Sequence, residues 1–156
     1  MINVEIRKAV EQDFEFVYEM IKQLNEMPED EEILSKSKLK SIFQNHLANP
    51  SKFYDIATLL DVPIGLIIFS IDEVLSEIGN VLTIHELVVD KKYRGKSVGE
   101  KLIHHVSQIA KVEKCALIET TTNLRRIKAH HFYEKCGLHK NGYRFGMDVK
   151  KRFESR

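Results

Sequence analysis

The sequence predicts a mixed α/β (α+β) domain, built on a mostly antiparallel sheet of six to seven strands with about four helices. Three patterns support this prediction. Short segments alternate apolar and polar residues, longer segments repeat apolar residues at helical spacing, and a strand–helix–strand unit spans residues 81–120. Such a unit implies two parallel strands joined by a right-handed connection. We therefore expect one parallel pair in a sheet that is otherwise antiparallel.

The first half of the chain predicts one strand, two helices and a hairpin. Apolar residues alternate at the start, and then follow two helical stripes that Pro28 and Pro50 bring to an end. Two β-branched segments flank the turn Asp61-Val62-Pro63, which is typical of a hairpin. The predicted elements are a strand at 2–7, helices at 11–26 and 33–48, and hairpin strands at 53–60 and 64–72.

The second half predicts four strands and two helices. A long strand ends at Asp90, and apolar residues then recur at helical spacing from Val98. The predicted elements are strands at 81–89 and 115–120 around a helix at 98–112, a short helix at 127–136, and final strands at 139–143 and 144–150. We find no linker or internal repeat between them.

Composition and charge describe an ordinary globular protein. The 156 residues suit a single domain over 1–156, with 43% hydrophobic and 30% charged residues. A formal net charge of +1 argues against a nucleic-acid or membrane-surface partner, and no apolar run is long enough to span a membrane. With two cysteines and no secretory signal pattern among the first residues, we expect a cytoplasmic protein.

The segment 87–102 is the most informative part of the chain. A strand ends at Asp90, a short basic loop follows, and a helix begins near Val98. The first backbone N–H groups of a helix have no intrahelical partner, and the helix dipole places partial positive charge there. Gly95 and Gly99 let a ligand approach the backbone. The segment therefore predicts a phosphate-binding loop.

Two common phosphate motifs do not fit this loop. The sequence Gly-Lys-Ser at 95–97 is part of a nucleoside-triphosphate P-loop, but that motif needs a glycine at position 90, which is aspartate here. A dinucleotide fingerprint needs three glycines spaced G-x-G-x-x-G, and only Gly95 and Gly99 are present. Another phosphate ligand is therefore expected.

The loop resembles the acetyl-CoA pyrophosphate loop of the GNAT (Gcn5-related) N-acetyltransferases, whose pattern is Q/R-x-x-G-x-G/A after a strand. Residues 94–99 match it at Arg94 and Gly99 and differ at Ser97, where the family usually has glycine. The segment 129–138 is similar to the second cofactor motif of that family, A-x-x-F-Y-x-x-x-G-F, with Leu138 in place of the last Phe. The two partial matches occur in the right order and cover roughly residues 84–143.

The resemblance implies acetyl-CoA as co-substrate, bound where the two parallel strands of the sheet splay apart. The backbone of Leu87, Val88 and Val89 would pair with the pantetheine amides like an added strand. The implied cofactor-binding residues are Leu87, Val88, Val89, Arg94, Gly95, Lys96, Ser97, Val98, Gly99, Asn123, Phe132, Tyr133 and Lys135. Asn123 is included because Arg126 stands where the family usually has asparagine.

Amide formation from a thioester needs a deprotonated amine and a proton for the leaving thiolate. The resembling family often places the base on the strand before the phosphate loop, which here offers Glu86 and His85. Side chains alternate along a regular strand, so only one of the two should face the amine, unless a bulge redirects them. Tyr133 is implied as the general acid.

The resemblance implies an N-acetyltransferase that acetylates a primary amine of a small molecule by direct attack in a ternary complex. The acceptor could carry an anionic group that pairs with Arg125, Arg126 or Arg144, or be a polyamine attracted by the acidic run at 29–32. A protein amine is an alternative acceptor. A non-catalytic acyl-CoA sensor and a structural interaction domain are alternative functions of the chain. We expect no metal site, since the adjacent histidine pairs diverge on their helices, and a homodimer is compatible with the fold.

Overall fold

The computed structural model of the chain describes residues 2–26 and 35–150. The elements in chain order are β1 (Glu5–Lys8), α1 (Phe14–Leu24), α2 (Lys36–Leu47), β2 (Lys52–Leu59), β3 (Val62–Val74), β4 (Gly79–Val89), α3 (Val98–Val112), β5 (Leu117–Thr120) and α4 (Ile127–Lys135). Every element predicted up to residue 136 is present, with ends that differ by three residues or fewer. The acidic run at 29–32 and the first two residues of the predicted second helix lie outside the described residues.

The strands form one mixed sheet in the order β1-β2-β3-β4-β5. Neighbours from β1 to β4 pair antiparallel, and β5 pairs parallel to β4. The predicted hairpin and the predicted strand–helix–strand unit are therefore both confirmed. Parallel pairing places α3 across one face of the sheet as the connection between β4 and β5.

Among the described residues the sheet has five strands, not the six to seven that the sequence predicts. The expected strands at 139–143 and 144–150 do not form, and residues 138–148 have no regular secondary structure. Tyr143 and Phe145 alternate with polar residues, but they are 87% and 92% exposed. A strand is stabilised by burying one face and pairing its edge. This segment buries no such face, so its alternation alone does not make it a strand.

Apolar side chains are buried on both faces of the central strands. On one face, called the α1–α2 face, the two helices cover a cluster formed by Phe14, Val17, Tyr18, Met20, Phe43, Tyr54, Ile56, Leu66, Ile68 and Val88. The stripe predicted for the first helix is confirmed by the buried Phe14 and Val17. The helical spacing at 33–48 predicts four inward-facing residues, Leu39, Ile42, Phe43 and Leu47. In α2, Phe43 is buried and Leu39 half-buried, whereas Ile42 and Leu47 are exposed.

Gly65 sets the position of α3 on the opposite face. A Cβ atom at Gly65 would lie 3.2 Å from Cγ1 of Val98 and 3.3 Å from Cδ1 of Leu102. The missing side chain therefore lets the first turns of α3 approach the sheet closely. Gly65 pairs with Val89, the last residue of β4, so the start of α3 is held beside the end of β4.

The chain divides into two compact units, Met1–Thr120 and Thr121–Arg156. The first contains the sheet and α1 to α3, and the second contains α4. The single domain over 1–156 stays a prediction. No helix within residues 2–26 and 35–150 has the length and apolar composition needed to cross a membrane.

Asp13 ties the end of β1 to the start of α1. Its carboxylate accepts two hydrogen bonds from the Arg7 guanidinium, at 2.8 and 2.9 Å, and one from the backbone N–H of Val10, at 2.8 Å. The hydrogen bond with Arg7, helped by the one from Val10, lowers the pKa of Asp13 against the opposing effect of burial. The ionised carboxylate is therefore the form that stabilises the fold.

Asp13→Ala should lower the free energy of unfolding by about 1–2 kcal/mol, because it removes a charge-assisted pair and a backbone acceptor. Glu15→Ala is the control, since Glu15 pairs with Lys36 but its side chain is 72% exposed, and such pairs contribute about 0–1 kcal/mol. A lowered folded pKa gives a stabilisation that is full above the unfolded pKa of about 4 and is lost as pH falls through the folded pKa. In denaturant unfolding, the free energies of unfolding of Asp13→Ala and wild type should become more similar below about pH 4. Equal losses of free energy in Asp13→Ala and Glu15→Ala would contradict this.

Candidate functional site

Strand β4 contains a one-residue bulge at His85. Ile68 of β3 lies opposite Glu86, whereas the next residue of β3, Phe69, lies opposite Ile84. His85 is therefore the extra residue, which is the geometry of a β-bulge. The bulge falls on the segment where the sequence analysis allowed one.

The bulge turns His85 and Glu86 toward the same face of the sheet. Glu86 is in register with Ile68, whose side chain belongs to the α1–α2 face, and residues in register share a face. Ser70 lies on that face two residues after Ile68, and its Oγ is 2.7 Å from Nε2 of His85. The alternation of a regular strand, which would separate the two side chains, therefore does not apply here.

Several other polar side chains lie on the α1–α2 face with this pair. The hydroxyl of Tyr54 is 2.7 Å from Nδ1 of His46, and the Tyr54 ring meets that of Phe43 edge-on at 5.3 Å. Lys52 is in register with Ser70 and so lies on the same face. We call the following residues the polar cluster: His46, Lys52, Tyr54, Ser70, His85 and Glu86.

The polar cluster has a defined charge state at neutral pH. Burial, and then the charge of Glu86, raises the pKa of Tyr54 to about 12, so its hydroxyl stays protonated. Burial, and then the charge of Lys52, lowers the pKa of His46. The same two causes lower the pKa of His85, with Asp72 opposing them. Both imidazoles are therefore neutral at pH 7.

One edge of β4 is open beyond the bulge. β5 pairs with β4 only from Val81 to Ile84, and Thr120, opposite Ile84, ends β5. Within residues 2–26 and 35–150, no strand pairs with 87–89 of β4 on that side, while β3 pairs with them on the other. The two parallel strands therefore part near the predicted cofactor residues Leu87, Val88 and Val89. Val88 is buried, and Leu87 and Val89 are half-buried.

The predicted phosphate loop leads from β4 to α3 and is open. Arg94 to Ser97 are exposed, and a Cβ atom at Gly95, where φ is 74°, would meet nothing within 4 Å. Ser97 adopts a left-handed conformation with φ 61°. The first helical hydrogen bond of α3 is donated by Lys101 to Ser97, so the N–H groups of the first turn point out of the helix end.

Some loop residues have roles that the sequence did not predict. Arg94 donates through Nε to the carbonyl of Val89, at 3.0 Å, so part of its guanidinium holds the loop. Oε1 of Gln23 in α1 accepts the backbone N–H of Lys91 at 2.9 Å, and Asp90 accepts that of Lys92 at 3.1 Å. The loop is therefore anchored to both β4 and α1.

A cleft of about 710 Å³ adjoins the loop. It lies between α1 and the residues after β4, and it includes Arg94 but neither Glu86 nor His85. Its lining residues are Glu15, Phe16, Glu19, Met20, Lys22, Gln23, Glu26, Asp90, Lys91, Lys92 and Arg94.

Two further residues predicted to bind the cofactor lie at the start of α3. Val98 is buried against Gly65, and the half-buried Gly99 lies in the first turn of the helix.

The remaining predicted site residues belong to the second unit. Asn123 accepts the backbone N–H of Arg125 through Oδ1, at 2.9 Å, and so forms a turn before α4. Phe132 and Tyr133 lie in α4 with their rings edge-on at 5.3 Å, and both are half-buried. Lys135 is the last residue of α4 and is exposed.

Sequence reasoning missed His46, Lys52, Tyr54 and Ser70. A serine and a tyrosine inside strands rich in apolar residues are a weak sign of a polar site, since either residue also occurs in ordinary cores. The contact between His46 and Tyr54 crosses a helix end and a turn. No local periodicity predicts such a contact.

Comparison with known proteins identifies relatives over most of the chain. The sequence model described as the Acetyltransferase (GNAT) family matches residues 14–138. The aminoalkylphosphonate N-acetyltransferase of Salmonella typhimurium is 29% identical over 143 residues, which cover 90% of this chain and 88% of that protein.

Solved structures share the fold. A putative acetyltransferase from Agrobacterium tumefaciens superposes with a TM-score of 0.81 at 24% identity, covering 92% of this chain and 99% of that one. A structure described as a transcriptional regulator from Bacillus halodurans gives a TM-score of 0.82 at 22% identity, covering 94% and 100%. At these identities the likeness concerns the fold.

Proposed function

The chain belongs to the acetyltransferase (GNAT) family, and from that premise we propose that it transfers an acetyl group from acetyl-CoA to a primary amine of a small molecule. Acetyltransferases of this family use acetyl-CoA as co-substrate. The observation that supports the proposal most is the bulge in β4, which turns Glu86 and His85 to one face beside an open strand edge. The amine attacks the thioester directly, in a ternary complex.

The loop between β4 and α3 binds the diphosphate of acetyl-CoA. Outward-pointing N–H groups and the helix dipole attract phosphate oxygens, and Arg94 and Lys96 add positive charge. The open glycine at 95 supports a close approach of the ligand. The free edge of 87–89 pairs with the pantetheine amides, as an added strand would.

Glu86 is the base. A primary alkylammonium has a pKa near 10, so its deprotonation at pH 7 costs roughly 4 kcal/mol. Glu86 takes one ammonium proton, the amine nitrogen bonds to the thioester carbon, and the carbon–sulfur bond breaks as the tetrahedral intermediate collapses. Tyr133, assigned by its motif, donates a proton to the departing thiolate, and the second nitrogen proton, released as the amide forms, returns to Tyr133 through solvent. His85 is the weaker candidate base, because its Nε2 is already engaged by the Ser70 hydroxyl 2.7 Å away.

The acceptor amine carries an anionic group. The Salmonella relative is described as acting on aminoalkylphosphonates, and in the polar cluster the charge of Lys52 acts on both histidines. No carboxylate of the described residues lies within 4.0 Å of the Lys52 ammonium, which leaves it available to a phosphonate or carboxylate. Arg125, Arg126 and Arg144 are exposed residues of the second unit.

The cytoplasmic location and the homodimer stay predictions.

Two measurements test the function. Acetyl-CoA should raise the melting temperature of the wild-type protein, with about 2.7 kcal/mol of stabilisation at one hundred times Kd. Thiol release should then follow with anionic primary amines, compared with polyamines and a peptide amine. If saturating acetyl-CoA causes no thermal shift, the result supports a structural domain that binds no cofactor. If acetyl-CoA shifts the melting temperature but no amine releases thiol, the result supports a non-catalytic acyl-CoA sensor.

Two variants separate binding from chemistry. Gly99→Asp should abolish the thermal shift by acetyl-CoA, because the added carboxylate repels the diphosphate at the start of α3. Tyr133→Phe should keep the shift and lower turnover. Gly146→Asp is the control, since a Cβ there meets nothing within 4 Å and the residue has no proposed role. An unchanged shift in Gly99→Asp would contradict the phosphate site, and wild-type turnover in Tyr133→Phe would remove its role as the acid.

Two substitutions by glutamine test the base. Glu86→Gln should lower kcat by about 100-fold or more and remove the acid limb of the pH profile, because an amide cannot accept the ammonium proton. His85→Gln should lower kcat by less than about tenfold, since a neighbour that only shapes the site contributes less than a base does. Steady-state thiol release between pH 5 and 9 measures both. The reverse order of effects would transfer the role to His85.

Lys52→Gln should raise KM for an anionic amine by about tenfold, the value of one partly buried charge-assisted contact. For an uncharged amine of similar length KM should change by less than about twofold, since that amine has no anionic group to lose a partner. Lys38→Gln, an exposed lysine of α2, is the matched control. A KM that rises equally for both amines would show that Lys52 does not recognise the anionic group.

A further inference from the structure

We propose that Arg94 makes the open edge of β4 selective for thioesters that carry a diphosphate. The guanidinium bonds the carbonyl of Val89, which a pantetheine amide also needs, and a diphosphate at the start of α3 draws the guanidinium away. The inference rests on the proposed function, in which this edge pairs with pantetheine. It assigns Arg94 a role in the choice between acyl carriers, in addition to its positive charge.

The first step is the direction of the Val89 carbonyl. The backbone N–H of Asp90 donates to the carbonyl of Ile64 in β3, at 2.9 Å, so the backbone groups of Asp90 point toward β3. Successive residues of a strand direct their N–H and C=O groups to alternate sides. Val89 therefore directs its N–H and C=O away from β3, to the side where β5 has already ended. The Val89 carbonyl faces the open edge.

The second step is the hydrogen bond of Arg94. Its Nε donates to the Val89 carbonyl oxygen at 3.0 Å, an ordinary length for such a bond. Because that oxygen faces the open edge, the guanidinium lies on the same side. A chain that paired with β4 as an added strand would run about 4.8 Å from it, in the strip that the guanidinium enters. The ligand amide and Arg94 therefore compete for one oxygen and for the space beside it.

The third step is the ease with which Arg94 can leave the carbonyl. Arg94 is exposed, so water can replace its partner at little cost. Gly95 follows it directly, which places the guanidinium next to the loop that would hold the diphosphate. A guanidinium binds phosphate oxygens through two parallel N–H bonds, which together are stronger than one bond to a neutral carbonyl. A bound diphosphate therefore wins the competition for Arg94.

Lys96 differs from Arg94 in this respect. It is the second basic residue that the proposed function assigns to the diphosphate, and its ammonium lies 5.5 Å from the centre of the Tyr93 ring. A move of Lys96 from that ring to a phosphate uncovers no group of the strand edge. Of these two basic residues, Arg94 is the one that links the diphosphate site to the pantetheine site.

The link changes which acyl carriers bind. A thioester of pantetheine without a diphosphate must displace Arg94 from Val89 and offers the guanidinium no new partner. Acetyl-CoA offers one while it pairs with the edge. The site therefore disfavours acyl groups carried on pantetheine alone, and the binding of diphosphate and of pantetheine is positively coupled.

Arg94→Ala should have opposite effects on two ligands in calorimetric titrations. Kd for acetyl-pantetheine should fall by about threefold to tenfold, because the competitor for the Val89 carbonyl is gone. Kd for acetyl-CoA should rise by about tenfold or more, because a charge-assisted phosphate contact is lost. Lys96→Ala is the matched control: it should weaken acetyl-CoA and change Kd for acetyl-pantetheine by less than about twofold. If Arg94→Ala weakened both ligands, as a disordered loop would, the inference would be overturned.

Inorganic pyrophosphate provides a second test, on the wild-type protein. Saturating pyrophosphate should lower Kd for acetyl-pantetheine by about threefold to tenfold, because it takes Arg94 from the carbonyl. In Arg94→Ala the same addition should change Kd by less than about twofold, whereas in Lys96→Ala the coupling should persist. Equal effects of pyrophosphate on wild type and Arg94→Ala would contradict the role of Arg94.

The two proposals fail in different ways. A wild-type protein that does not bind acetyl-CoA would contradict the proposed function. If it binds acetyl-CoA but pyrophosphate has no effect on acetyl-pantetheine, the function stands and the inference is overturned. Acetyl-pantetheine that binds neither wild type nor Arg94→Ala would also overturn the inference, because pantetheine would then not pair with the edge.

Discussion

The arrangement of the candidate site depends on one extra residue in β4. Without the bulge, alternation would place His85 and Glu86 on opposite faces, one under α1 and α2 and the other under α3. With it, both belong to the α1–α2 face, and the Ser70 hydroxyl holds the His85 ring. The pairing of β4 with β3 resumes at once, so the bulge changes the direction of side chains without ending the strand. A local irregularity in register thus brings two titratable groups together while the sheet stays continuous.

The parts of the fold that the sequence predicted well are those with a long, strict period. The helix α3 begins and ends where its apolar stripe does, because Val98, Leu102 and Val106 all face the sheet. The loop before α3 was predicted from its glycines and charged residues, each of which is informative by itself. The prediction of two final strands was wrong because no long period supports it. Tyr143 and Phe145 alternate with polar residues as in a strand, but alternation indicates a strand only where one of its faces is covered.

The polar cluster illustrates what single-sequence reasoning cannot obtain. Glu86 and His85 were candidates because a resemblance to known acetyltransferases pointed to their strand, and the bulge that turns both to one face had to be seen in the register. His46, Lys52 and Tyr54 offered no motif, since their relation is set by how α2 packs on β2. A histidine on a helix and a tyrosine in a strand are each more often part of an ordinary core. Only the tertiary contact between His46 and Tyr54 distinguishes a polar site from an ordinary core.

The open edge beside the bulge has a physical consequence of its own. Backbone N–H and C=O groups at a sheet edge must find partners, and proteins generally cover or shorten such edges because they invite pairing with other chains. Here β5 ends opposite Ile84, while β4 continues for five residues beside β3. A strand that is long on one side and short on the other leaves a gap shaped for an extended ligand with amide groups. In the proposed function an acyl-pantetheine chain fills this gap, and the position of the gap just before the predicted phosphate loop lets one ligand satisfy the open edge and the helix end together.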